Sequence, residues 1–174
     1  MPFTIPRTPR TPRLRRLLAV LASAAAVVVL GAGCGSPRLT GGAALHFTAD
    51  TVDGQVFSGE SLSGKPAVLW FWAPWCPACQ REAPEVARVA AAHPAVSFVG
   101  VGSRDDLAAL QDFATKYGID TFPQLADIKG MIWAKFGITR QPAFVFIKPD
   151  GAVDVVRGSL EETDLTQRVT ALAS

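Results

Sequence analysis

Cysteine, histidine and charge are all scarce in this 174-residue chain, which holds 3 Cys, 2 His and 18% charged residues. Three cysteines are too few, and odd in number, for a disulfide-stapled scaffold. His46 and His93 are isolated, and without a second ligand pair a zinc site is not expected. A basic patch is missing as well. Of 17 Lys+Arg, Arg7, Arg10, Arg13, Arg15 and Arg16 fall in residues 1–33, which contain no acid. The remaining 141 residues carry 12 basic against 15 acidic groups, a net of −3. Such a domain is a poor nucleic-acid binder, so no nucleic-acid partner is expected. The length suits one domain, and the domain contains no internal repeat or low-complexity segment. Its cysteines fall as one isolated residue, Cys34, and one close pair, Cys76 and Cys79, which must carry an anchor or do chemistry.

What the first residues do hold is an order. Arg- and Pro-rich residues 1–16 precede an apolar or small run from Leu17 to Leu30, followed by Gly31-Ala32-Gly33-Cys34. Basic, then apolar, then small is the order of an export signal, so residues 1–33 are set apart from the fold as a signal peptide. Small residues before a cysteine resemble a bacterial lipoprotein signal, which marks Cys34 as the lipidation site. The usual Leu three residues before the cysteine is Gly31 here. The alternative is an uncleaved signal anchor, since roughly 17 apolar residues can just span a bilayer. Either way the domain is expected outside the cytoplasm, lipid-anchored on the outer face of the cytoplasmic membrane or extracellular. Arg15-Arg16 is too weak a pattern to decide between general and twin-arginine export. Residues 34–44 read as a short lipid-anchored spacer and 45–174 as the domain.

Within the domain, Leu45–Thr51 and Gln55–Phe57 flank the turn dipeptide Asp53-Gly54, predicting an N-terminal β-hairpin extension. Ala67–Ala73 is short and apolar on both faces, as a central strand should be. A helix is expected from Cys76 to about Ala92, a strand over 96–101, and a helix from Asp105 to Tyr117. Trp133–Phe136 predicts a short helix, Ala143–Ile147 and Val153–Arg157 a hairpin across Pro149-Asp150-Gly151, and Glu161–Leu172 a final helix. Strands alternating with helices and ending in a hairpin imply an α/β sandwich around a mixed sheet.

The chemistry lies in Trp72-Ala73-Pro74-Trp75-Cys76-Pro77-Ala78-Cys79. A bare Cys-x-x-Cys is only suggestive, but here the first cysteine follows a buried strand and opens a helix. The unpaired N–H groups and dipole at a helix start stabilise an anion, so Cys76 is expected to be the nucleophile. One turn later Cys79 faces the same way and can resolve a mixed disulfide, which makes the pair a redox-active disulfide needing no other cofactor and no metal. Pro77 suits the first helical turn. Trp75 reads as a groove-lining residue, Trp70 and Trp72 as core, and Glu82 and Glu85 as solvated helix residues.

This motif, the preceding Leu69-Trp70-Phe71-Trp72-Ala73 strand and Gly137-Ile138-Thr139-Arg140-Gln141-Pro142-Ala143-Phe144 together resemble a family. The sequence is similar, from about Leu45 to Ala173, to exported DsbE/DsbF-like thiol:disulfide oxidoreductases of the thioredoxin-fold TlpA/ResA/CcmG-like superfamily, lipoproteins among them. The resemblance implies a thioredoxin-like sandwich, a central mixed β-sheet flanked by helices, and assigns Pro142 as the family's cis-proline. Trp75, Pro77, Ala78 and Gln141 flank the site. Gln141 stands where the wider family often has Thr, Val or Ile. Trp70 takes the place of the buried Asp that serves the second thiol in thioredoxins, leaving Cys79 without that base, for which Glu82 and Glu85 on the helix could substitute through water. Ala73 occupies the position where peroxidases of related fold need Thr, which excludes a peroxiredoxin.

Three functions remain open at this level. One is an extracytoplasmic oxidase of reduced or misoxidised exported proteins, renewed by a quinone-linked membrane partner. The second is a tethered reductase of the cytochrome c maturation type, fed by a membrane electron-transfer protein. A Cu(I) thiol carrier is the third, and it lacks an added His or Met near the pair. No dimerisation segment is visible, so a monomer is expected.

Overall fold

The computed structural model describes Met1 and residues 41–173. The leader, Cys34 and most of the expected spacer lie outside the described residues. Residues 41–44, read as the end of that spacer, belong to a helical turn, α1 (Gly41–Leu45), whose Ala44 and Leu45 are buried. The expected hairpin follows as β1 (Thr48–Asp50) and β2 (Val56–Ser58), antiparallel, with Gly54 at φ +82° in its turn. A single 3-10 turn, Gly59–Leu62, leads into the sheet.

The sheet has five strands: β3 (Ala67–Trp72), β4 (Ser97–Gly102), β5 (Gln124–Ala126), β6 (Ala143–Ile147) and β7 (Val153–Arg157). Their order is β5-β4-β3-β6-β7, with β3, β4 and β5 parallel and β6 and β7 antiparallel to their neighbours. β3 lies in the centre with all six residues buried, which is why its run is apolar on both faces. Alternation divides those residues between two cores. Val68, Trp70 and Trp72 join one with α2 (Pro77–Ala92), α3 (Leu107–Tyr117) and α5 (Glu162–Leu172). Ala67, Leu69 and Phe71 join the other with α1 and α4 (Met131–Lys135). Helices on both faces of a mixed sheet form the expected sandwich.

Local chemistry sets the helix starts. Asp106 caps α3 by accepting the Ala109 N–H at 2.9 Å, and buried Asp127 accepts the N–H groups of Met131, Ile132 and Trp133 at 2.8, 2.9 and 2.9 Å to open α4. β5 was absent from the sequence reading. It is three residues long and anchors the hairpin, through a Val52 N–H donated to the Gln124 carbonyl at 2.8 Å and a bridge between Thr51 and Leu125. Two glycines of β4 make room for Trp72. A Cβ on Gly102 would lie 2.8 Å from the Trp72 ring and one on Gly100 would collide with Gln124. No helix among the described residues is long and apolar enough to cross a membrane.

Candidate active site

The end of β3, the end of β4 and the beginning of β6 meet at one edge of the molecule, since Trp72 pairs with Gly102 and Phe71 with Ala143. The turn leaving β3 carries Trp75 and Cys76. Cys76 is the N-cap of α2 and Pro77 its first residue, a position where a missing N–H costs nothing. The Cys76 Sγ accepts the Cys79 N–H at 3.2 Å, and its own N–H bonds to the Ala73 carbonyl at 3.1 Å. Both thiols are free, and their exposures differ: 5% for Cys76 and none for Cys79. Ala78 between them is half-buried. Burial pushes the Cys79 thiol well above the ordinary range, helped by its hydrogen bond to Cys76 and by the charges of Cys76 and Glu82. Of the two sulfurs, Cys76 lies nearer the surface and Cys79 is held protonated behind it.

Glu82 departs from the sequence reading. Expected on the solvated face of α2, it is buried at 4% exposure, because it lies three residues beyond Cys79 on the stripe that continues through Ala83, Val86 and Val89. Its Oε2 accepts the Trp70 indole N–H at 3.0 Å and its Oε1 the Leu160 N–H at 2.8 Å. Burial pushes its carboxyl up to about 7, with Glu85 and Glu161 adding to the rise and the two hydrogen bonds opposing it. Cys79 accordingly does not lack a titratable neighbour. Trp70, which displaces the strand carboxylate of thioredoxins, is the residue that holds this helix carboxylate. The i, i+3 spacing from Cys79 places Glu82 on the buried stripe, against the usual preference of charged residues for water.

The remaining flanking residues lie on the turn before α2 and at the entrance to β6. Trp75 is 52% exposed, and its indole donates to the Arg104 carbonyl at 3.1 Å. The Gln141–Pro142 bond is cis. Gln141 Oε1 is the buried side-chain polar atom for which no described residue supplies a donor. Arg104 itself was missed, having no motif to mark it. Among the described residues, no group of three or more His, Cys, Asp and Glu is placed to hold a metal ion.

Residues 40–156 match the model of the AhpC/TSA family. The chain is 46% identical over 155 residues to the soluble secreted antigen MPT53 of Mycobacterium tuberculosis, spanning 87% of this chain and 89% of that protein. Among solved structures it is similar to M. tuberculosis DsbF, in mixed oxidised and reduced forms, with 61% identity, a TM-score of 0.74, and coverage of 75% of this chain and 97% of that one. A secreted M. tuberculosis disulfide oxidoreductase homologous to E. coli DsbE superposes with a TM-score of 0.71 at 49% identity, covering 74% of this chain and 98% of the other.

Proposed function

The chain belongs to the AhpC/TSA family, on its DsbE/DsbF-like thiol–disulfide oxidoreductase side, and from that premise we propose that it is an extracytoplasmic oxidase of dithiols in exported proteins. Peroxidase chemistry does not come with the family, because Ala73, three residues before Cys76, has no hydroxyl. The observation that carries the reading is the Cys79 N–H offered to the Cys76 sulfur at the start of α2. A donor there stabilises the reduced pair, and a pair whose reduced form is stabilised is the one that oxidises others.

In the first step a substrate thiolate attacks Cys76 Sγ, the Cys76–Cys79 bond breaks, and Cys79 leaves with the electron pair. Glu82, poised near 7, is the neighbouring group able to supply the proton that Cys79 needs. In the second step another substrate thiolate attacks the substrate sulfur of the mixed disulfide, and Cys76 departs with its electrons. Two electrons pass from substrate to pair, and the substrate gains a disulfide. A membrane redox partner linked to quinone returns the pair to its oxidised form. Secretion of MPT53 and the leader's residue order support export, and the small residues before Cys34 support lipid attachment there. The protein acts as a monomer in this reading.

One observation favours a second reading. Glu82 gives Cys79 the carboxyl neighbour that a reductase uses to deprotonate its second thiol, which suits a tethered reductase of the cytochrome c maturation type. Equilibrating Cys76/Cys79 against glutathione separates the two. A potential well above thioredoxin's roughly −270 mV is expected, and one close to that value overturns the oxidase reading. Cys79→Ser is expected to trap mixed disulfides with exported proteins, and Cys76→Ser to abolish exchange.

A further inference from the structure

Arg104, just beyond β4, has a φ of +65°, the one positive φ outside glycine among the described residues. That region crowds the Cβ of any L-residue, and such a conformation persists only where the surroundings over-determine it. The surroundings of Arg104 reach both neighbours of the central strand. Its carbonyl holds the indole of Trp75, the residue before Cys76, at 3.1 Å. Its guanidinium donates through Nη2 to the Thr139 carbonyl at 2.6 Å and sits 4.9 Å from the centroid of the Trp133 ring. Trp133 is itself fixed, buried and donating its indole N–H to the Val101 carbonyl at 3.1 Å.

The sheet order gives these contacts their meaning. β4 lies on one side of β3 and β6 on the other. Arg104 therefore reaches from the end of β4, past the end of β3 where Cys76 emerges, to the loop that enters β6. That loop carries Gln141, whose buried Oε1 receives no donor from any described residue. Arg104 itself is exposed, although its guanidinium lies over a buried ring.

We propose that Arg104 is the positioning residue of the substrate groove: its backbone carbonyl holds Trp75 and its guanidinium holds the Thr139–Pro142 loop, fixing the distance between the two walls that receive an extended, cysteine-bearing polypeptide. The inference rests on the oxidoreductase reading and refines its substrate class, setting a polypeptide apart from a small thiol that needs only Cys76.

Arg104→Gly tests it in the full chain. Glycine accepts the positive φ and keeps the carbonyl, so the fold and the Trp75 hydrogen bond are retained while the guanidinium is lost. With a reduced, unfolded polypeptide carrying two cysteines, KM is expected to rise roughly three- to tenfold, the worth of one net hydrogen bond, with kcat far less affected. The loss with glutathione is expected to be smaller, and Arg104→Lys, which keeps a cationic donor, to recover part of the polypeptide KM. An unchanged KM in Arg104→Gly, or an equal loss with glutathione and polypeptide, overturns the proposal. A wild-type protein that exchanges with neither thiol defeats the oxidoreductase reading as well, so the two failures are distinguishable.

Discussion

Replacing Glu82 by glutamine removes a proton site that the folded and unfolded chains hold with different strength. In the fold the carboxyl is pushed up to about 7 from an ordinary 4.5. Between those values the native chain keeps a proton that the unfolded chain has released, so stability falls as pH rises. The contribution is fully present below pH 4.5 and lost as pH passes about 7. The interval is about 2.5 units, and at 1.36 kcal/mol per unit Glu82 accounts for a decline of about 3 kcal/mol. Glutamine has no such dependence. It has a single acceptor, however, where the carboxylate serves both Trp70 and Leu160, so one of those donors loses its partner at a cost of about 1–3 kcal/mol at every pH. Urea unfolding of the reduced protein from pH 4.5 to 8 should therefore find the wild type more stable at the acid end and the advantage gone or reversed at the alkaline end. Parallel profiles for the two proteins would refute the placement of Glu82 as a buried, late-titrating acid.

Trp70→Phe removes the indole donor that opposes the rise at Glu82, so the same experiment should show the decline in stability extending to higher pH than in the wild type; a window that stays in place contradicts the hydrogen bond. Gly102→Ala puts a methyl group 2.8 Å from the Trp72 ring and 2.9 Å from Leu110 Cδ2. Overpacking of that kind costs about 1–3 kcal/mol, read as a lowered urea midpoint with an unchanged slope. An unaltered midpoint would mean that Trp72 moves aside freely.

The sheet's centre and the reactive pair were legible because their causes are local. Six consecutive apolar residues from Ala67 to Trp72 demand burial on both faces, and Cys76 followed by Pro77 marks a helix start. What escaped depends on partners distant in the chain. Gln124 is a polar residue at the start of a three-residue strand; its Nε2 finds the nearby Ile119 carbonyl, but its Oε1 is satisfied by Trp72, 52 residues earlier. Glu82 needs Leu160, 78 residues on, to be satisfied in the interior. Gly41–Leu45 opens with two glycines, poor helix formers, and holds its turn through the burial of Ala44 and Leu45. Arg104 adopts a backbone conformation that no composition rule assigns to arginine.

Trp72, Gly100 and Gln124 share one volume. The indole N–H of Trp72 meets Gln124 Oε1 at 3.1 Å, and the same amide oxygen occupies the space a side chain at position 100 would take. None of the three can drift alone: a larger residue at 100 displaces the amide, a shorter one at 124 strands the indole, and a smaller ring at 72 leaves the amide without its donor. Substitution here would have to proceed in concert, a reduced ring at 72 making room for a methyl group at 100 and an apolar residue at 124. Because the Gln124 carbonyl also anchors Val52, such an exchange would reach the hairpin as well as the strand that delivers Cys76.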